Sequence, residues 1–297
     1  MPELPEVQTI VSDLKKVLPG LKITGFWTDI TSFRKIKNKA VARKILGLER
    51  KGKNILIHLS GNLTLLVHQK MTGHLLYGKW KVKDGPARNA TQSVAGGEWK
   101  SIIPGPLNDP ENRFIRLLFF LSNGRQLALC DMRKFAKALT WPTDKLAELN
   151  DIKNLGPDPF DEDFTLQKFS KIIKNKKGKI KNILMNQNLI AGIGNIYSDE
   201  ILWFSGVHPL KPVQKLKSEE IKKIYRAIKP ILKKAIKARG SSYIDYRDAF
   251  GRKGKYQEMH YAYQKTGTKC QKKDSGIIKK IKIGGRSAHF CPVHQKL

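Results

Sequence analysis

The sequence predicts an α+β protein: a strand-rich first half opened by one helix, a helical middle, and a small basic tail with short strands. Three observations predict it. Val7, Ile10, Val11, Leu14, Val17 and Leu18 recur at helical spacing and give the opening segment one apolar face. Past residue 50 the pattern becomes short β-branched and leucine-rich runs paired across turn residues. After Trp141-Pro142 helical periodicity takes over, and from about residue 250 it yields to glycine-punctuated, lysine-rich sequence.

In chain order, the first element is the stretch Met1-Pro2-Glu3-Leu4-Pro5-Glu6 and the helix behind it. If Met1 is removed, which a small second residue permits, Pro2 becomes an N-terminal secondary amine. Free α-amino groups titrate near ~7.7–8.0, against ~10.4 for lysine, so much of such an amine is unprotonated at neutral pH. An unprotonated amine attacks carbonyl-like carbons and forms a Schiff base. Glu3 and Glu6 stand beside it as acid, base or charge partner. A bare Met-Pro start is usually just a flexible end; the repeated Pro-Glu and the amphipathic helix argue instead for a docked terminus that can be placed for chemistry.

Next come two hairpins. Residues 54–59 and 63–67 flank Ser60-Gly61-Asn62, and residues 114–121 and 127–130 flank Ser122-Asn123-Gly124. Residues 81–112, rich in Gly, Pro, Asn and Lys, read as a long loop or insertion with a disordered tip. Asn154-Leu155-Gly156-Pro157-Asp158-Pro159 punctuates the chain as an inter-domain connection. Helical spacing then runs to about residue 239, clearest in Ile221, Ile224, Tyr225, Ile228, Ile231 and Leu232. No internal repeat is visible. The expected division is 1–142, 150–245 and 250–297.

Composition narrows the function. Lys+Arg number 57 against 25 Asp+Glu, a net charge of +32, and the pI is about 10.1. Such an excess speaks of partners, and nucleic acid is the commonest polyanion. A membrane surface is the next candidate, but no apolar run reaches the ~18 residues of a span, so no membrane role is expected. The N-terminus has neither the basic lead nor the apolar core of a signal peptide. Three cysteines, Cys130, Cys270 and Cys291, make no disulfide framework; a reducing, cytoplasmic, nucleoid-associated setting is expected.

Within the helical half, Leu189-Ile190-Ala191-Gly192-Ile193-Gly194-Asn195-Ile196-Tyr197 is a glycine-rich turn. Glycine allows close backbone approach, and a following helix offers free N–H groups to phosphate. Read alone, such a turn fits an ordinary helix–helix connection better. The lysines of Lys176-Lys177-Gly178-Lys179-Ile180-Lys181 just before it suit phosphate, or a solvated face.

Three motifs in order now carry a resemblance: Pro2-Glu3-Leu4-Pro5-Glu6-Val7, Ala191-Gly192-Ile193-Gly194-Asn195-Ile196-Tyr197, and Gly285-Arg286-Ser287 followed by Phe290-Cys291-Pro292. The chain resembles, end to end, the formamidopyrimidine-DNA glycosylase / endonuclease VIII family of base-excision repair enzymes. The resemblance implies an N-terminal β-sandwich with its N-terminal helix, a helix-two-turn-helix domain, and a C-terminal β-hairpin zinc finger, with damaged double-stranded DNA bound in the cleft between domains.

It also implies roles. Pro2 resembles the nucleophile that attacks C1′ of the damaged nucleotide, and Glu3 the acid that assists sugar opening. Lys53, by itself readable as a surface lysine at a strand start, matches a lysine serving DNA binding and proton transfer. Met71 resembles the wedge that fills the gap left by an extruded base, with Arg133 and Phe135 as companions. An apolar chain and an aromatic ring replace lost stacking while arginine pairs with the orphaned base; Phe135 read alone fits a core residue equally well. Lys176 and Lys181 align with phosphate-contacting lysines, Asn195 with the helix-two-turn-helix asparagine, and Arg286 with a finger arginine that grips a phosphate and assists the second elimination.

Two features depart from the family. It expects two Cys-x-x-Cys pairs, whereas this chain has Cys270-Gln271-Lys272-Lys273 and Cys291-Pro292-Val293-His294. Cys and His both ligate zinc, and structural sites usually have four ligands. Cys270, Cys291 and His294 make three; Asp274 or His289 could complete the set. Two readings stay open: one structural Zn2+ in an altered site, or a finger held by packing alone. Near Phe114, where the formamidopyrimidine branch carries a DNA-contacting His, Arg113 or Arg116 is the candidate substitute.

The expectation is a monomeric bifunctional DNA glycosylase and AP lyase that removes oxidised purines (8-oxoguanine, formamidopyrimidines) through an imine at Pro2 and β,δ-elimination, without a catalytic cofactor. The alternatives are an endonuclease VIII-type enzyme for oxidised pyrimidines, a catalytically silent damaged-DNA binder, and a general RNA or ribosome binder.

Overall fold

The computed structural model describes residues 1–82, 99–243 and 245–297. The expected disordered tip of the 81–112 loop lies outside them. The elements in order are α1 Leu4–Leu14, β1 Ile23–Thr28, α2 Ile36–Ala40, β2 Ile45–Lys51, β3 Asn54–Leu59, β4 Leu63–His68, β5 His74–Gly78, β6 Trp80–Val82 and β7 Trp99–Ser101. There follow β8 Ile115–Leu121, β9 Gln126–Cys130, β10 Lys137–Pro142, α3 Asn150–Lys153, α4 Leu166–Lys174, α5 Ile180–Met185, α6 Asn195–Ser205, α7 Ser218–Lys237, β11 Lys279–Ile283 and β12 Arg286–Phe290. They form two compact units, the first from residues 1–2, 6–153 and 239–254, the second from residues 3–5, 154–238 and 255–297.

In the first unit the two expected hairpins, β3–β4 and β8–β9, seed two antiparallel four-stranded sheets, ordered β1-β8-β9-β5 and β10-β4-β3-β2. Side chains alternate across a strand, and the sequence exploits it. Ile55, Ile57 and Leu59 of β3 and Leu117, Phe119 and Leu121 of β8 share one core between the sheets. Leu56 turns instead towards Leu66 and Leu149, and Leu118 towards Trp80, Trp99 and Leu107. Both outer faces are thus covered in part, which explains why β3, β4 and β9 are apolar nearly throughout. The face of α1 read from spacing is the buried one: Val7, Ile10, Val11, Leu14 and Leu18 join the inter-sheet core, with Val17 packed against it. Part of the expected loop is ordered, because β7 pairs with β6.

The 239–254 segment is tied into the first unit through polar groups. Asp248 accepts from Phe250 N at 2.9 Å and Arg252 N at 3.0 Å, and Arg239 bridges it to Asp13. Glu6 is buried there, with Oε1 accepting from Ser241 N at 2.8 Å. Glu6 is therefore a fastening of this unit; its carboxylate is committed to the backbone.

In the second unit α4–α7 enclose a separate core of Phe164, Phe169, Ile173, Leu184, Ile201, Ile224, Ile228 and Leu232 with Leu4. The spacing-derived face of α7 is its buried face. Gly206, at φ 72°, ends α6 in the left-handed conformation that glycine adopts at little cost. The tail forms the hairpin β11–β12, turned by Gly284 and Gly285 at φ 54° and 78°, as a two-residue hairpin turn requires.

Candidate active site and metal centre

The glycine-rich turn serves the chain's own N-terminus. Glu3 is almost wholly buried. Its carboxylate accepts from the backbone N–H groups of Gly194 at 2.8 Å, Ile196 at 2.9 Å and Tyr197 at 3.3 Å. These are the donors that a helix start leaves unpaired, and the helix dipole favours an anion there. Gly192 accepts from Leu4 N at 3.0 Å. A Cβ on Gly192 would meet Leu4 at 2.7 Å, and one on Gly194 would meet the Glu3 carboxyl at 2.4 Å. The close approach anticipated for a phosphate is thus made by residues 3 and 4, and the amides of α6 hold a carboxylate. Pro2, next in the chain to this fixed carboxylate, is buried, while Met1 is 40% exposed.

Lys53 lies in the turn between β2 and β3 and is buried, not at the surface. Gly52 in that turn stands at φ 57° and its carbonyl accepts from Arg50 at 3.0 Å.

Met71, Arg133 and Phe135 occupy two adjoining loops of the first unit. Pairing of His74 with Cys130 brings the loops before β5 and after β9 together. The Thr72 hydroxyl donates to Asp131 Oδ1. Asp131, only 1% exposed, also accepts from Arg133 N at 3.2 Å and Ala136 N at 2.6 Å. The scaffold is internal and the presented groups are not: Met71 is 43% exposed and Phe135 52%, and the Arg133 guanidinium lies 4.5 Å from the Phe135 ring centroid. A core role for Phe135 is therefore removed. The sequence marks Asp131 only as an Asp opening a short polar loop, where its carboxylate can bond backbone amides further on. Arg116 is taken by Asp29 and the Asp131 carbonyl, whereas Arg113 is exposed over Phe114, 4.7 Å from the ring centroid. Of the two substitute arginines, Arg113 is the one presented.

In the second unit Lys176 is exposed, as a phosphate contact requires. Lys181 is the correction. It is 0% exposed and ion-paired with the equally buried Asp199, with Nζ 3.3 Å from the Asn195 carbonyl. Its stem belongs to the apolar face of a short helix, so the charge is spent inside the fold. Asn195 opens α6, half-buried, and its Oδ1 has no hydrogen-bond partner among the described residues. Glu200 accepts from the N–H groups of Tyr261, Ala262 and Tyr263 at 2.9, 3.0 and 2.9 Å. Burial raises its pKa to about 7 against the pull of those amides. Arg286 stands exposed at the tip of the β11–β12 hairpin, paired across it with Ile283.

The finger brings Cys270, Asp274, Cys291 and His294 together, with one donor atom from each within 4.8 Å of the others. Asp274, not His289, completes the set: His289 is held by Asp199. Two thiols, an imidazole and a carboxylate suit a closed tetrahedral zinc site. His294 presents Nδ1 to the cluster, 3.6 Å from Cys270 Sγ, while Nε2 lies 3.1 Å from the Trp203 carbonyl. Such an outer partner fixes the ring and tautomer of a metal-binding histidine. These four residues could hold a metal ion, and the donor set fits a structural role.

Among the described residues no helix is long and apolar enough to cross a membrane. The model of the formamidopyrimidine-DNA glycosylase N-terminal domain matches residues 1–138, and that of its H2TH domain matches residues 155–246. A formamidopyrimidine-DNA glycosylase of Pelotomaculum thermopropionicum is 38% identical, with all of both chains covered. One of Herpetosiphon aurantiacus is 36% identical over 99% of this chain and all of that protein. Among solved structures, Lactococcus lactis Fpg in complex with DNA containing an abasic site superposes with a TM-score of 0.83 at 32% identity, over 99% of this chain and all of that one. The same Lactococcus protein with DNA containing an oxidised pyrimidine gives 0.82 at 32% identity, with both chains fully covered.

Proposed function

The chain belongs to the formamidopyrimidine-DNA glycosylase family and is a DNA glycosylase, and we propose that it is bifunctional, cleaving the abasic site that it makes in damaged duplex DNA. The observation that carries this reading is the Glu3 carboxylate, fixed by three backbone amides next in the chain to Pro2.

Once Met1 is removed, the Pro2 nitrogen attacks C1′ of the damaged nucleotide, the base departs, and an iminium links Pro2 to the opened sugar. The Glu3 carboxylate takes up the proton that the Pro2 nitrogen sheds on bonding to C1′ and passes it to the ring oxygen, which lets the sugar open. The iminium acidifies the C2′ hydrogen; its loss expels the 3′ phosphate, and a second elimination expels the 5′ phosphate to leave a one-nucleotide gap. Lys53 moves protons near the sugar, and Arg286 grips the phosphate flanking the lesion and assists the second elimination. Met71 fills the space vacated by the base, with Arg133 and Phe135 beside it; filling the stack offsets the few kcal/mol of unstacking that extrusion costs. Lys176, Asn195 and the general excess of basic residues contact phosphates without reading sequence. Oxidised purines are the favoured substrates. Because the Lactococcus relative has been captured with an oxidised pyrimidine in DNA, such a lesion belongs in the test.

That test is borohydride trapping of Met1-processed protein on duplexes with 8-oxoguanine, an oxidised pyrimidine or an abasic site. A covalent adduct that disappears when Met1 is retained establishes the imine, and the lesion ranking assigns the substrate. If not even the abasic duplex is trapped, the lyase assignment fails and the protein is a binder of damaged DNA.

A further inference from the structure

The buried Lys181 has a use that the phosphate reading did not supply. Asp199, on α6, has both carboxylate oxygens occupied. Oδ1 holds the Lys181 ammonium of α5. Oδ2 accepts from His289 N at 2.9 Å and lies 2.9 Å from His289 Nδ1 on β12. Lys181 Nζ also reaches the Asn195 carbonyl at the start of α6, at 3.3 Å. One carboxylate therefore joins α5, α6 and the strand that begins with Arg286. All three side chains are at most 4% exposed.

A buried ion pair is weak evidence for stability, because desolvation offsets its attraction and apolar replacements of equal volume often do as well. What such a cluster adds is geometry. Apolar side chains can slide past one another, but a carboxylate that accepts a backbone N–H accepts it in one register. Register matters here because a one-residue slip of a strand sends every side chain to the other face. His289 and Arg286 are three residues apart on β12, so period two puts them on opposite faces. Holding His289 inward against Asp199 directs Arg286 outward. The hairpin is otherwise turned on two glycines, and its tip lies beside Asn182, the neighbour of Lys181.

We propose that Lys181, Asp199 and His289 are positioning residues that set the register of the β11–β12 hairpin on α5 and α6, and so aim Arg286; this rests on the reading above that Arg286 acts in the second elimination. Their charged and ring groups are taken up by one another inside the fold. The helix whose N-terminus fixes Glu3 thereby also fixes the finger arginine, through a residue one turn further on.

The experiment uses full-length, metal-loaded, Met1-processed protein and an abasic-site duplex. Asp199→Asn preserves shape but leaves an amide N–H2 facing a donor; His289→Phe fills the space without the ring–carboxylate contact. Three quantities are read: metal stoichiometry, borohydride-trapped adduct, and the ratio of doubly to singly eliminated product. Arg286→Ala and its combination with Asp199→Asn serve as references. A displacement of about 1 Å costs on the order of a hundredfold in a positioned step, so the product ratio falls about 10- to 100-fold in Asp199→Asn. Metal and adduct stay within about twofold of the unaltered protein, and adding Asp199→Asn to Arg286→Ala lowers the ratio no further than that margin.

An unchanged ratio in both Asp199→Asn and His289→Phe, with Arg286→Ala lowering it, overturns the proposal, as does a full additional loss in the double variant. If Asp199→Asn loses metal and adduct together, its finger has unfolded and His289→Phe decides the matter by the same ratio. If the unaltered protein traps nothing, or Arg286→Ala leaves the ratio intact, the underlying reading of the site has failed instead.

Discussion

Replacing Gly194 by alanine separates the position of Glu3 from the stability of the fold. The backbone there, at φ −134° and ψ −150°, is extended and open to alanine, so no backbone strain is introduced. The new Cβ would lie 2.4 Å from Glu3 Cδ and 2.5 Å from Oε1, where ordinary contacts begin at 3.4 Å. The carboxyl must therefore retreat by about 1 Å, the difference of those two distances. It is the far end of a flexible side chain, so it can swing aside without moving either backbone. Bonds now at 2.8, 2.9 and 3.3 Å then stretch or break. Hydrogen bonds to a charged group are worth about 1.5–3 kcal/mol each; with one of the three lost and the others lengthened, the expected destabilisation is about 2–4 kcal/mol, leaving a folded protein. A misplacement of about 1 Å costs on the order of a hundredfold in rate. The assay is single-turnover excision of a damaged base beside denaturant unfolding, with Glu3→Gln as the variant that keeps shape and loses charge. Gly194→Ala protein that is folded and excises within about threefold of the unaltered rate, a deficit under ~1 kcal/mol, would refute the claim that the address of this carboxylate matters.

Three further outcomes are expected. Asp131→Ala removes the acceptor shared by Thr72, Arg133 and Ala136; chemical unfolding should show a loss of about 2–4 kcal/mol, and affinity for lesion-containing duplex should fall more than affinity for undamaged duplex. Asp274→Ala should lower bound zinc below one equivalent after dialysis against a weak chelator, measured by elemental analysis, because an incomplete ligand set holds metal less tightly. Glu200 supplies a pH dependence. Its carboxyl is raised from 4.5 to about 7 in the folded protein, so both states are protonated below about pH 4.5, and the favourable protonated form in the fold is progressively lost up to about pH 7. Stability should therefore fall between those limits by an amount that Glu200→Gln abolishes, read as the difference in unfolding free energy between pH 5 and pH 8.

The architecture was largely legible because local rules govern it. Residues 54–67 and 114–130 announce hairpins through period-two apolarity around turn residues, and α1 and α7 announce themselves by apolar spacing; each is a property of neighbours along the chain. The relation of Met71 to Arg133 and Phe135 came only from the family resemblance. Its physical cause, a Thr72–Asp131 contact across 59 residues, has no local trace. Glu3 was legible as a candidate acid, but the reason for Gly192 and Gly194 was not: the partner they make room for is the N-terminus, nearly two hundred residues away.

The order of residues carries the inventory of chemistry: a proline poised to become an N-terminal amine, a carboxylate beside it, an excess of basic residues, and a Cys-poor finger. Packing selects which of these groups are spent inside the fold and which are presented. Lys181 and Glu6 read as functional charges and are consumed by Asp199 and Ser241, whereas Arg113, Arg286 and Phe135 are exposed at the surface. It also decides that Asp274, and not His289, joins the metal cluster. A charge buried among helices must find its partner within the fold or forfeit its solvation, and only the packing of distant segments sets which partner that is.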